Sequence, residues 1–142
     1  MTKRVLVPID GSRQSTKALE HALTEFDDAD IEVLNVIDPI DVGYSSTVGM
    51  PGYSEEWYEE SKENAERLFE EAQELADEHG ATLSTATELG RPSQVIVEFA
   101  DENDLDQIVM GSHGRSGVSR ILLGSVAETV VRRSPVPVTV VR

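Results

Sequence analysis

Short, almost unbroken apolar runs, each closing on a turn and leading into a stretch of helical periodicity, constrain this chain more than anything else in it. RVLVPI, from Arg4 to Ile9, stops at Asp10-Gly11-Ser12, and Ala18, Leu19, Ala22, Leu23 and Phe26 then recur at helical spacing. After the acidic turn DDAD a second run, IEVLNVI, covers Ile31 to Ile37 and completes a βαβ unit. The pattern resumes at Ser54, a predicted cap for a helix with Glu55 and Glu56 in its first turn, an inner face of Ala65, Leu68, Phe69, Ala72, Leu75 and Ala76, and an end at His79-Gly80. A strand over Ala81 to Glu88, a helix opening at Pro92 with Val95, Ile96, Phe99 and Ala100 inward, and a strand over Gln107 to Met110 follow. A helix over Gly124 to Arg133, stopped by Ser134-Pro135, and a last run over Val136 to Val141 bring the expectation to five strands and four helices. Strands apolar on both faces, alternating with helices, require a parallel sheet covered on both sides: a doubly wound α/β fold. Ligands of such sheets sit beyond the carboxyl ends of the strands, where strand order reverses, and Asp10 and Gly111 both fall at such ends.

At 142 residues the expectation is a single domain over 1–142. The net charge of −15, from 27 acidic against 12 basic residues, argues against nucleic acid as a partner, because phosphate-backbone affinity rests on clustered Lys and Arg. With lysine only at positions 3, 17 and 62, the excess reads as adaptation to high cytoplasmic salt, where self-repulsion is screened; an ordinary acidic protein is the alternative. Cysteine is absent, and His21, His79 and His113 do not stand at ligand spacing, so no transition-metal site is proposed. The longest apolar runs, such as Ile121 to Leu123, are too short to span a bilayer, so no membrane association is expected. Met1-Thr2-Lys3-Arg4 runs straight into VLVPI, which leaves no room for a targeting segment and makes the cytoplasm the expected location. The stretch from Asp38 to Tyr53, rich in Gly, Pro, Ser and Tyr, is too long for a simple connection and reads as a lid or a disordered loop.

The segment QIVMGSHGRSGVSRILLGSVAETVVRR, Gln107 to Arg133, carries the chemistry. Its spacing, Gly111-x2-Gly114-x9-Gly124-Ser125, is neither a Walker loop, which needs Gly-Lys-Ser/Thr, nor the GxGxxG of dinucleotide folds. Glycines at these places let backbone approach a ligand or take positive φ, and a helix opening just after Gly124 would aim its unpaired N–H groups and the positive end of its dipole at an anion. The layout predicts a nucleotide phosphate site. A competing reading of Ser125-x-x-Glu128 is a capping box, which accounts for the serine and not for the glycines.

Through VPID at the first strand, NVID at the second, IVMGSHG at the fourth and LLGSVAETVV at the helix, the whole chain resembles the universal stress protein family, in its ATP-binding branch. The resemblance implies a Rossmann-like, adenine nucleotide alpha-hydrolase-like sheet of order 3-2-1-4-5. Residue by residue, it implies that Asp10 meets the ribose, with a helix cap near Ser12 as the other reading, and that Pro8 and Val36 contact adenine or merely pack. Met110, Gly111, His113 and Gly114 would form the ribose and phosphate turn, and Gly124, Ser125 and Val126 would hold the terminal phosphates. Arg115 and Arg120, in the spacer, either offset phosphate charge or pair with surface carboxylates. Mg2+, or Mn2+, would accompany ATP on its phosphate oxygens without a protein cage. The resemblance also implies a homodimer through the C-terminal strand, whose Val138, Val140 and Val141 would otherwise form an apolar edge. His113 is the only titrating group expected at the phosphates, and no device for positioning water is evident, so a regulatory nucleotide-binding module with at most slow ATP hydrolysis is expected. The alternative is an ATP-dependent hydrolase or nucleotidyl transferase using the same site. A receiver domain is excluded, since Asp10 is followed by Gly11 and Ser12 rather than by further acids.

Overall fold

Each apolar run becomes a strand because its alternate residues find a separate core on either side. The computed structural model describes residues 2–39, 55–113 and 123–142. In chain order these form β1 (Arg4–Pro8), α1 (Arg13–Glu25), β2 (Asp30–Ile37), α2 (Glu55–Glu78), β3 (Leu83–Leu89), α3 (Pro92–Glu102), β4 (Gln107–Gly111), α4 (Ser125–Arg133) and β5 (Val138–Val141). The strands make one parallel sheet of order β3-β2-β1-β4-β5, as the resemblance implied. Val5, Val7, Val33 and Val109 face α1 and α2, packing on Ala18, Leu19, Ala22, Leu23, Ala72 and Ala76. Leu6, Leu34, Ile108 and Met110 face the other way, onto Ile96, Phe99 and Ala100 of α3 and Ala127 and Val130 of α4. Burial on both faces is why these strands read as continuous rather than alternating runs.

Caps set the element ends. Ser12 is the N-cap of α1, its hydroxyl accepting from the Ser15 amide at 3.1 Å, and Pro92 opens α3 at its first position. The expected cap of α2, Ser54, lies outside the described residues. The third strand begins at Leu83 rather than Ala81, because Ala81 belongs to the end of α2: its amide donates to the Ala76 carbonyl at 2.9 Å and that of Gly80, at φ +68°, to Asp77 at 3.1 Å, a Schellman closure. The same closure ends α3, with Leu105 donating to Ala100 at 3.0 Å, but there Asp104 occupies the left-handed position at φ 54°. The last strand starts at Val138, not Val136, since the Ser134 hydroxyl bridges the backbone of Val136 and holds that residue in the turn.

β1 leads through α1 to β2 on one side, while its other neighbour, β4, leads towards β5 on the opposite side. Strand order therefore reverses between β1 and β4, and the chain diverges there to leave a crevice at their carboxyl ends.

Candidate functional site

Both walls of that crevice are fixed by backbone hydrogen bonds. Ile9, one residue past β1, donates its amide to the Leu34 carbonyl at 2.8 Å and accepts from the Asn35 side-chain amide at 2.9 Å. Asn35 is only 7% exposed, so this bond satisfies a buried group and pins the strand end from which Asp10 projects. Asp10 Oδ1 accepts from the Ser12 amide at 2.9 Å across Gly11, whose φ of +85° suits a residue without Cβ. The helix cap is thus Ser12, and Asp10 braces the turn before it with one oxygen; Oδ2 has no hydrogen-bond partner among the described residues.

On the opposite wall, Gly111 is demanded by packing. A Cβ there would lie 2.7 Å from Gln14 Cβ and 2.8 Å from the Gln14 carbonyl carbon, so the first turn of α1 could not sit against β4. Gly124 is similar: its amide donates to the Ser112 carbonyl at 2.7 Å, and a Cβ would stand 3.2 Å from that oxygen and 3.4 Å from His113 Cα. Neither glycine has positive φ. Contact of chain on chain excludes a Cβ at Gly111 and crowds one at Gly124, independently of any ligand.

Gly124 is the N-cap of α4 and offers no side-chain cap. Ser125 is therefore the first helical residue, not the cap, and the capping box does not form; Glu128 instead pairs with Arg132 at 3.0 Å. Among the described residues the exposed Ser125 hydroxyl has no hydrogen-bond partner, and the amides of Ser125, Val126 and Ala127 precede the first intrahelical bond, from Glu128 to the Gly124 carbonyl at 2.9 Å.

These walls enclose a cleft of about 1470 Å3, and Pro8, Asp10, Val36, Met110, Gly111, His113, Gly124, Ser125 and Val126 all line it. Gly114, Arg115 and Arg120, and the predicted lid apart from Asp38 and Pro39, lie outside the described residues. Residues that sequence reasoning passed over also line the cleft: Ser12 and Ser15 from α1, Ser112 beside the glycine turn, Arg91 ahead of α3, and Arg133 of α4. Arg91 carried a signal in Gly90-Arg91-Pro92, which marks the C-terminal end of β3; the serines carried none beyond their caps. No cluster of three His, Cys, Asp or Glu able to hold a metal occurs among the described residues. What the cleft offers is an apolar floor, the second oxygen of Asp10 with the carboxylates of Asp38 and Glu98 at its walls, two arginines, serine hydroxyls and the open first turn of a helix.

The model of the universal stress protein family matches residues 1–142. The chain belongs to that family. Universal stress protein MJ0531 of Methanocaldococcus jannaschii is 39% identical over 99% of this chain and 82% of its own length. The solved structure of MJ0577, from the same organism, superposes with a TM-score of 0.84 at 30% identity, covering 99% of this chain and 96% of that one. A universal stress protein crystallised in complex with cAMP matches with a TM-score of 0.66 at 27% identity over 99% and 96% of the two chains. Membership accounts for the strand order, and no helix among the described residues is long and apolar enough to cross a membrane.

Proposed function

We propose that this universal stress protein binds an adenine nucleotide, ATP with Mg2+ or Mn2+, in the cleft between β1 and β4, and acts as a regulatory module with at most slow hydrolysis. The observation that carries the reading is the first turn of α4: three successive amides without intrahelical partners and an unengaged serine hydroxyl line the same cleft as Asp10. A helix start left uncapped by side chains suits an anion. The free Asp10 oxygen suits a ribose hydroxyl, and Pro8 and Val36 supply apolar wall for a base. The divalent ion would neutralise phosphate oxygens while keeping its waters, which needs no protein cluster. Adenine chemistry draws support from the relative that binds cAMP. Gly114 and Arg115 would complete the phosphate turn.

The proposal extends to a cytoplasmic homodimer joined along β5. Among the described residues that strand pairs only with β4, and all four of its residues are partly exposed, which suits a second copy along that edge.

Calorimetry with Mg-ATP in molar KCl tests the nucleotide reading. Saturable binding that weakens about tenfold in Asp10→Asn, which keeps the bond to the Ser12 amide, is the expected result. Absence of binding for ATP, ADP, AMP and cAMP alike overturns it, and turnover above about 1 per second would move the protein to the enzyme reading.

A further inference from the structure

A second groove lies between α1 and α2, against the turn that leads into α1. It holds about 300 Å3, and Leu19, Leu68 and Leu75 give it an apolar floor. Leu68 and Leu75 are only half-buried, and Thr16 stands exposed on the α1 wall. Every charged side chain that lines the groove is a glutamate: Glu71, Glu74 and Glu78, at helical spacing along one flank of α2. All three are exposed, and none has a hydrogen bond or ion pair among the described residues.

Helix stability does not account for this rim. Glu74 and Glu78 lie towards the C-terminal end of α2, where the helix dipole disfavours acids, and the last turn holds no basic residue to offset them. Nor does the groove share the mixed charge of the nucleotide cleft, where Arg91 and Arg133 stand among the carboxylates. An apolar floor beside a purely acidic flank is complementary to an apolar surface with cations along one side. A second copy of this chain would set acid against acid, and an anionic lipid surface would be repelled for the same reason. A helix with an apolar stripe flanked by Lys or Arg meets both demands. The volume suits the anchor side chains of such a helix, with its backbone remaining outside.

We infer that the α1–α2 groove docks a basic amphipathic helix of a partner protein, its apolar anchors entering between Leu19, Leu68 and Leu75 while its Lys or Arg side chains reach Glu71, Glu74 and Glu78. The inference is independent of the nucleotide reading, since it uses a different cavity and the opposite charge.

The test is fluorescence anisotropy of a labelled Leu/Lys peptide, patterned as an amphipathic helix, titrated with the whole chain at moderate salt. Saturable one-to-one binding is expected, with amide shifts of the protein centred on Leu19, Leu68 and Leu75. The triple variant Glu71→Gln, Glu74→Gln, Glu78→Gln should weaken it about tenfold, as three exposed ion pairs allow. The control is Glu63→Gln, Glu66→Gln, Glu70→Gln, which has the same spacing on the same helix but does not line the groove, and it should change affinity by less than about threefold. Thr16→Arg places a cation in the groove from an exposed position and should weaken binding as well, which keeps the test decisive if the first triple variant does not fold. A Leu/Glu peptide of the same pattern should not bind. Equal weakening in the two triple variants, or displacement of the peptide by spermidine at the same concentration of positive charge, would reduce the rim to a general attraction for cations and overturn the inference. Binding of the Leu/Glu peptide, or no binding of the Leu/Lys peptide, would overturn it too.

Discussion

At the scale of single residues, packing is what the structure shows of the glycines, and the proposed binding role would be laid over it. Gly111 admits the first turn of α1, and Gly124 lets the start of α4 touch the Ser112–His113 backbone. Gly111→Ala should destabilise the protein by about 1–3 kcal/mol, because the atoms it meets are backbone and Cβ of Gln14, which cannot swing aside. Denaturant unfolding with a cost below about 0.5 kcal/mol would show that the helix can yield. Asp10 separates the two roles in the other direction. Asparagine keeps an oxygen for the Ser12 amide, so Asp10→Asn should change stability by less than about 0.5 kcal/mol yet weaken Mg-ATP binding about tenfold through loss of the carboxylate. Equal affinity would reduce Asp10 to a turn residue. Asp10, Gly111 and Gly124 were legible in the sequence because their types at strand and helix ends are rare in combination. Asn35 was not, since its value lies in a partner 26 residues away, and no periodicity marks the contact.

At the scale of elements, β1, β2 and β4 could be read because they are buried on both faces and the helices because they are buried on one, whereas β3 and β5, at the sheet edges, are partly or largely exposed. The ends could not be read as well. Ala81 looks like strand and is bound into the closure of α2; Val136 looks like strand and is held by Ser134. In both places a local hydrogen bond outweighs β propensity. Capping misled in one further case: Ser125 and Glu128 have the spacing of a capping box, but the helix begins one residue earlier than that box requires, with Gly124 as its cap. The closure of α3 yields a prediction. Asp104 stands where α2 has Gly80, in a left-handed conformation that strains an L side chain. Asp104→Gly should therefore stabilise the protein by about 0.5–1 kcal/mol, seen as a rise in the denaturant midpoint. A fall would mean that the aspartate contributes a compensating interaction.

At the scale of the whole molecule, the parallel sheet places the starts of α1, α3 and α4 and the ends of β1, β2 and β4 around one cleft, so the proposed ligand would be held by architecture as much as by side chains. The charge acts on the same scale. Two chains of −15 repel over about 10 Å in 0.1 M salt but only about 3 Å at 1 M. Sedimentation should accordingly find a dimer in molar KCl that dissociates at least about tenfold more readily at 0.1 M. A monomer at every salt concentration would remove the β5 edge from the proposal, and a salt-independent dimer would remove the argument from charge. Composition made that repulsion visible at once, whereas the shape of the cleft, with Arg91 and Arg133 reaching it from α3 and α4, emerges only when the two helices lie side by side. The central claim is that the open first turn of α4 grips a phosphate tail, and backbone amide spectra recorded through a Mg-ATP titration address it most directly. The account predicts large, saturating shifts at Ser125, Val126 and Ala127, with smaller ones at Asp10 and Val36. Saturation with those three amides unmoved would contradict it.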